Sequence, residues 1–185
     1  MLPPRVKPGS GASPGPAPIK SLVASFRYAL RGLADCLRNE RNLRIHITAA
    51  LWVIALGRGV GLSTGEWAAL AVCCGLVIGS ELFNTAVEAT VDLLSPDYHP
   101  IARRAKDIAA AGVLVGALFA ILTGCIVFWG KLDALGLLAG QLARSPLALG
   151  LVALCAAASW VFIFYYPLLC KKLFKNREEH NLESD

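Results

Sequence analysis

None of the usual short signatures of nucleotide or zinc chemistry occurs in this sequence. It has no GxxxxGK[ST] phosphate loop, no glycine fingerprint placed between a strand and a helix, and no HExxH pair. Its six cysteines, Cys36, Cys73, Cys74, Cys125, Cys155 and Cys170, form neither a CxxC pair nor a Cys/His ligand spacing. Most lie within apolar runs, which suits small core or lipid-facing residues. No tract alternates basic and aromatic residues, so the net charge of +5 does not mark a nucleic-acid partner. The opening "MLPPRVKPGSGASPGPAPIK" has no apolar h-region and is not a signal peptide. Its Pro, Gly and Ser content predicts a disordered tail over residues 1–18.

What the sequence does have is apolar length. Of 185 residues, 56% are hydrophobic and the mean hydropathy is +0.56, too apolar for an ordinary soluble domain. The periodicity predicts an all-α integral membrane helical bundle. In "SLVASFRYALRGLADCLRNERNLRIH", Leu22, Phe26, Leu30, Leu33 and Leu37 form one stripe, while Lys20, Arg27, Arg31 and Arg38 lie on another flank. Such a helix lies in the membrane interface with its basic side toward anionic head groups. Four apolar segments follow: Ile45–Leu56, Trp67 to about Thr90, Ile108–Trp129 and Pro146–Leu169. The first needs its flanks to cross a bilayer, which takes roughly 20 residues. With the N-terminus in the cytoplasm, 15 Lys and Arg residues fall inside and only Arg58, Lys131 and Arg144 fall outside. This asymmetry orients a multi-pass chain with both termini in the cytoplasm.

The second span ends in a polar stretch, "GSELFNTAVEATVDLL". Glu81, Asn84, Glu88 and Asp92 follow one another at i, i+3, i+7 and i+11 and share one narrow helix face. Counted from Trp67, the hydrocarbon ends near Val87, so Glu81 falls within the bilayer and Glu88 at its boundary. An ionisable group at that depth is costly, and its default meaning is functional. A rise of ~1.5 Å per residue separates the two glutamates by about 10 Å, too far to grip one ion and suited to separate tasks. Next, "SPDYHPIARRAKDIAAAG" places His99, Arg103, Lys106 and Asp107 in a cluster on the same cytoplasmic side. A mixed cluster beside a carboxylate ladder suits a phosphate-bearing ligand with bound Mg²⁺, although the basic residues alone would serve as positive-inside anchors. From the residues themselves, two functions stay open: an enzyme acting on lipid, or an ion-coupled transporter. A transporter is expected to show repeated, broken helices, and no such repeat is found.

"ELFNTAVEATVD", from Glu81 to Asp92, followed by "HPIARRAKDIAAAG" from His99, resembles the small prokaryotic membrane kinases that phosphorylate diacylglycerol or undecaprenol. "SFRYALRGLADCLRNERNLRIHITAA" is similar to the same family's surface helix and first-span start, and the likeness runs from about Ser25 to Trp129. The resemblance implies a homotrimer of three-span subunits with shared active sites. It implies transfer of the ATP γ-phosphate to a lipid hydroxyl at the cytoplasmic face of a bacterial inner membrane. Glu81 then matches the catalytic base, and a carboxylate held out of water is a better proton acceptor than one in bulk solvent. Asn84 matches a polar partner beside it. Glu88 and Glu40 match the pair that holds Mg²⁺ on the nucleotide. Lys106 and Asp107 match nucleotide contacts, with Tyr28, Tyr98 and His99 nearby. Phosphoryl transfer asks mainly for positioning and charge neutralisation, so a compact site without a phosphate loop is adequate. His46 stands where the diacylglycerol-directed members tend to carry an acidic residue, and "ERNLRIH" is closer to the undecaprenol-directed members, which favours undecaprenol over diacylglycerol. The expected organisation is a kinase domain over 19–130, a loop and additional span over 131–170, and a charged cytoplasmic tail over 171–185. The fourth span and the tail depart from the three-span pattern.

Overall fold

The computed structural model describes residues 18–182, with side chains from 22 to 168, so the expected disordered tail lies outside the described residues, apart from Pro18. Six helices account for nearly all of it: α1 Pro18–Asn39, α2 Arg41–Val60, α3 Thr64–Leu94, α4 Pro100–Trp129, α5 Leu132–Arg144 and α6 Pro146–Leu182. No strand occurs among the described residues. The chain divides into two compact units, residues 1–34 and 35–185. In the first, Leu22, Phe26 and Leu30 of α1 are exposed and Leu33 is half-buried, so the apolar stripe is open over its N-terminal part. Arg27 and Arg31 both approach the ring of Tyr28, at 5.7 and 6.0 Å from its centroid.

The helix boundaries in the second unit follow from local chemistry. Glu40 is extended (φ −96°, ψ 112°), which separates α1 from α2. Gly61 ends α2 at φ 67°, where a Cβ would be strained, and its N–H caps the Gly57 carbonyl. Ser63 and Glu66 form a reciprocal capping box at the start of α3. The letters from Gly61 to Gly65 satisfy a GxSxG spacing, but Ser63 is a helix cap between two helices and not a nucleophile on a strand-to-helix elbow. Pro100 opens α4 where its missing N–H does no harm, and His99 Nδ1 accepts from the Ile101 N–H.

Among the described residues, four helices are long and apolar enough to cross a membrane: Arg41–Val60, Thr64–Leu94, Pro100–Trp129 and Pro146–Leu168. The first expected span, Ile45–Leu56, is extended by its flanks to 20 residues. Within the stretch expected as a loop and additional span over 131–170, Leu132–Arg144 forms α5, in which Leu132, Leu135, Leu138 and Leu142 recur on one face. Beyond the last apolar stretch, α6 continues as helix to Leu182, so the charged tail is not a separate element over that range.

The helix pair α3–α4 is the most extensive, α2 packs on α3, α6 lies on α2, and α5 meets α2 and α6. Side chains tie these pairs together: Cys73 Sγ to Thr123 Oγ1 at 3.4 Å, Trp52 Nε1 to Ser159 Oγ at 3.2 Å, and Lys131 Nζ to Glu66 at 3.2 Å. The buried set is small. Among the described residues it comprises Leu43, Gly57, Val60, Leu70, Val77, Val113 and Val127 together with the polar Arg44, Thr48, Glu81 and Asn84. Most large apolar side chains face outward, as they do when lipid rather than water is the solvent.

Candidate functional site

The polar end of α3 turns inward. Glu81 is 2% exposed and Asn84 9%, while Glu88, one turn further on, is half-buried. The Asn84 Nδ2 group donates to Glu88 Oε1 at 2.9 Å, which fixes the orientation of the amide and leaves Oδ1 to point elsewhere. That Oδ1 atom is buried and has no hydrogen-bond partner. A buried acceptor left open is costly and calls for a missing donor. Glu81 has the Asn42 side chain as a hydrogen-bond partner, and the charges of Glu40 and Glu88 both reach it.

Glu81 and Asn84 line a cavity of ≈ 260 Å³ with Asn42 and His46 from α2 and the small Ala110 and Ala117 from α4. His46 and Ala117 also line a second cavity of ≈ 610 Å³, which continues between α2, α3 and α4. Its wall is apolar, with Ala49, Val53, Leu70, Ala120 and Phe128 among its residues. A buried carboxylate thus sits at the head of an apolar cleft. This arrangement suits a long-chain molecule that carries one polar end.

The remaining candidates divide between two further places. Tyr98, His99 and Lys106 line a third cavity, of ≈ 290 Å³, with Asp92 and Arg103. No residue of it is shared with the Glu81 cavity. In it Lys106 forms an ion pair with Asp92, the last rung of the α3 ladder. Asp107 instead pairs with Arg103 on the exposed side of α4, at 3.9 Å. Tyr28 belongs to the first unit. Glu40, in the break between α1 and α2, makes no side-chain cap bond, so both of its carboxylate oxygens are uncommitted to the helix. Burial first, and then the charges of Glu40, Asp35 and Glu81, push the Cys36 thiol above its ordinary range. Sequence reasoning passed over Asn42 as a site residue, although Asn42 and His46 stand at i and i+4 next to Glu40 and so share a face of α2.

Among the described residues, no three His, Cys, Asp or Glu side chains converge as a cage for a metal ion. Two carboxylates, Glu40 and Glu88, flank Glu81 electrostatically. Such a pair is the donor set for a hard cation that completes its shell with phosphate and water oxygens.

Taken together, the fold and this site define a multi-pass helical membrane protein with a carboxylate centre at the head of a lipid-sized cleft. The family described as prokaryotic diacylglycerol kinase matches residues 27–128. Undecaprenol kinase of Bacillus subtilis is 42% identical over 108 residues, which is 58% of this chain and 88% of that relative. A diacylglycerol kinase of Synechocystis is 40% identical over 105 residues, 56% of this chain and 60% of that relative. Diacylglycerol kinase of Escherichia coli K12 is 30% identical over 108 residues, 58% of this chain and 88% of that relative. The chain belongs to the prokaryotic diacylglycerol kinase family. It is a lipid kinase, and the alternative of an ion-coupled transporter falls.

Proposed function

We propose that the protein transfers the γ-phosphate of ATP to the hydroxyl of undecaprenol at the cytoplasmic face of a bacterial inner membrane. The observation that carries this reading is the buried Glu81 carboxylate beside the open Asn84 Oδ1, at the head of an apolar cleft. A polyprenyl or acyl chain fills the cleft and brings its hydroxyl to that cavity. The hydroxyl donates its proton to Glu81, its oxygen bonds to the γ-phosphorus, and ADP departs. Asn84 keeps Glu88 in place through its amide, and its open Oδ1 is free to accept from a further donor that enters with the substrates. Lys106, with Tyr98 and His99, supplies a basic and aromatic surface for the nucleotide, and Asp107 and Tyr28 are further contacts. Glu40 and Glu88 would hold Mg²⁺, which when bound neutralises charge on the phosphates.

Undecaprenol is favoured over diacylglycerol because the most similar of the relatives described above is named for it, and because His46 lines the acceptor cavity. Purified protein in mixed micelles with labelled ATP, offered undecaprenol and diacylglycerol side by side, tests the choice. Faster phosphorylation of diacylglycerol would make phosphatidic acid the product and overturn the undecaprenol assignment. The domain assignment of residues 19–130 as kinase and the homotrimer belong to the same proposal.

A further inference from the structure

Arg44 lies one turn into α2 and is 3% exposed. As a surface helix residue it would be the i+4 partner of Glu40, but its donors go to main-chain carbonyls instead. Nη1 donates to Leu37 O at 2.7 Å and to Arg38 O at 3.2 Å, both in the last turn of α1. Nε donates to Ile163 O at 3.0 Å, in the middle of α6 and 119 positions away. A mid-helix carbonyl is normally taken by the N–H four residues on. Here that residue is Pro167, which has none. The proline therefore exposes one acceptor within a membrane span, where an unsatisfied carbonyl is costly, and Arg44 occupies it. Trp52 Nε1 to Ser159 Oγ fastens the same two helices further along.

All of α6 lies beyond the stretch that matches the family, residues 27–128. We infer that α6 is a clamp on the catalytic site: the carbonyl freed by Pro167 fixes Arg44, and Arg44 fixes the α1–α2 turn that carries Glu40. Arg44 is a positioning residue. It closes the last turn of α1 on one side of Glu40 and is itself part of α2 on the other, so the break between them keeps one shape. The planar fork of arginine is what reaches α1 and α6 at once, because lysine offers the charge from a single point. The inference rests on the proposed role of Glu40 in holding the cation.

The test compares full-length wild type with Pro167→Ala, Arg44→Lys, their double variant and Glu40→Gln in the same micelles. Activity is followed against Mg²⁺ concentration at saturating lipid, and binding of Mn²⁺ to the same variants, read by paramagnetic resonance, should weaken in parallel with any shift in the Mg²⁺ dependence. Pro167→Ala restores the N–H that competes for Ile163 O, and alanine is the better helix former, so the fold is kept. It is expected to raise the Mg²⁺ concentration for half-maximal rate roughly 3- to 10-fold, the scale of one ordinary hydrogen bond, and to leave kcat at saturating Mg²⁺ within about twofold. Arg44→Lys is expected to do the same despite keeping its charge. The double variant should go no further than Arg44→Lys alone, because both changes break one bond. An unchanged Mg²⁺ dependence in Pro167→Ala, or fully additive effects, overturns the clamp, provided that Glu40→Gln does shift the dependence. If Glu40→Gln shifts nothing, the assignment of Glu40 itself falls and takes the clamp with it.

Discussion

Glu81 and Glu88 occupy one face of one helix yet meet different surroundings, and the difference supports the separate tasks proposed for them. Glu81 is enclosed at the head of the apolar cleft, whereas Glu88 is half-buried and held by Asn84. Glu81→Gln should therefore reduce kcat by about 10²-fold or more, the scale of a lost general base, with Mg·ATP affinity nearly unchanged. Glu88→Gln should weaken Mg·ATP binding by roughly 10-fold as well as slowing turnover, since a charged ligand is lost. Equilibrium binding of a fluorescent ATP analogue separates the two, and equal affinities would cancel the division of roles. This ladder was legible because polar residues at helical spacing stand out in an apolar run. The role of Arg44 was not legible: its acceptor on α6 is a main-chain carbonyl, which no side-chain pattern can announce. His99 was read as a ligand contact, and the structure also gives it a cap on α4, a local bond that the following proline foreshadows.

At the scale of helices, the bundle depends on where glycine is needed and where it is merely tolerated. A Cβ on Gly57 would lie 2.7 Å from Leu62 Cδ1 and 2.8 Å from the Trp67 ring. On Gly116 the nearest atom would be Val77 Cγ2 at 3.7 Å, an ordinary contact. Alanine gains about 0.5–1 kcal/mol over glycine in a helix, and overpacking costs about 1–3 kcal/mol. Overpacking against a rigid indole wins at Gly57, so Gly57→Ala should lower the midpoint of thermal inactivation, while Gly116→Ala should leave it unchanged or raise it. The cleft between α2, α3 and α4 makes a separate claim. Ala120→Phe fills part of it and should raise the KM for the lipid several-fold, as expected when a few methylene contacts are lost, with the KM for ATP unaltered. A parallel rise in both constants would mean that the cleft does not hold the acceptor chain. All four spans were visible as apolar segments, since length and hydropathy suffice for that. Helix α5 was missed because Gly136 and Gly140 make its 13 residues read as a loop, although its leucines keep a helical face.

Across the whole molecule, the candidates divide in a way that one chain does not reconcile. The Glu81 cavity and the cavity with Tyr98, His99 and Lys106 have no residue in common. Lys106 pairs with Asp92, which lies about 16 Å along α3 from Glu81 at ~1.5 Å per residue. Helix α6 packs on α2, while α4, packed on α3, fully buries only Val113 and Val127 and leaves Leu114, Leu118, Phe119 and Ile126 exposed on its other side. A neighbouring copy packed against α4 could bring its own cation or carboxylates to this chain's half of the site, which is the arrangement expected of a ring with shared active sites. Co-assembly of two inactive variants decides the matter. If the proposed trimer forms, mixed assemblies of Glu81→Gln and Lys106→Ala chains at equal amounts would give about a quarter of the sites an intact Glu81 from one subunit and an intact Lys106 from the next. Activity should then return to about that fraction of wild type, although neither variant has it alone. If each site were built within a single chain, no mixture of the two could restore a complete one, and the mixed preparation would stay as inactive as its parents.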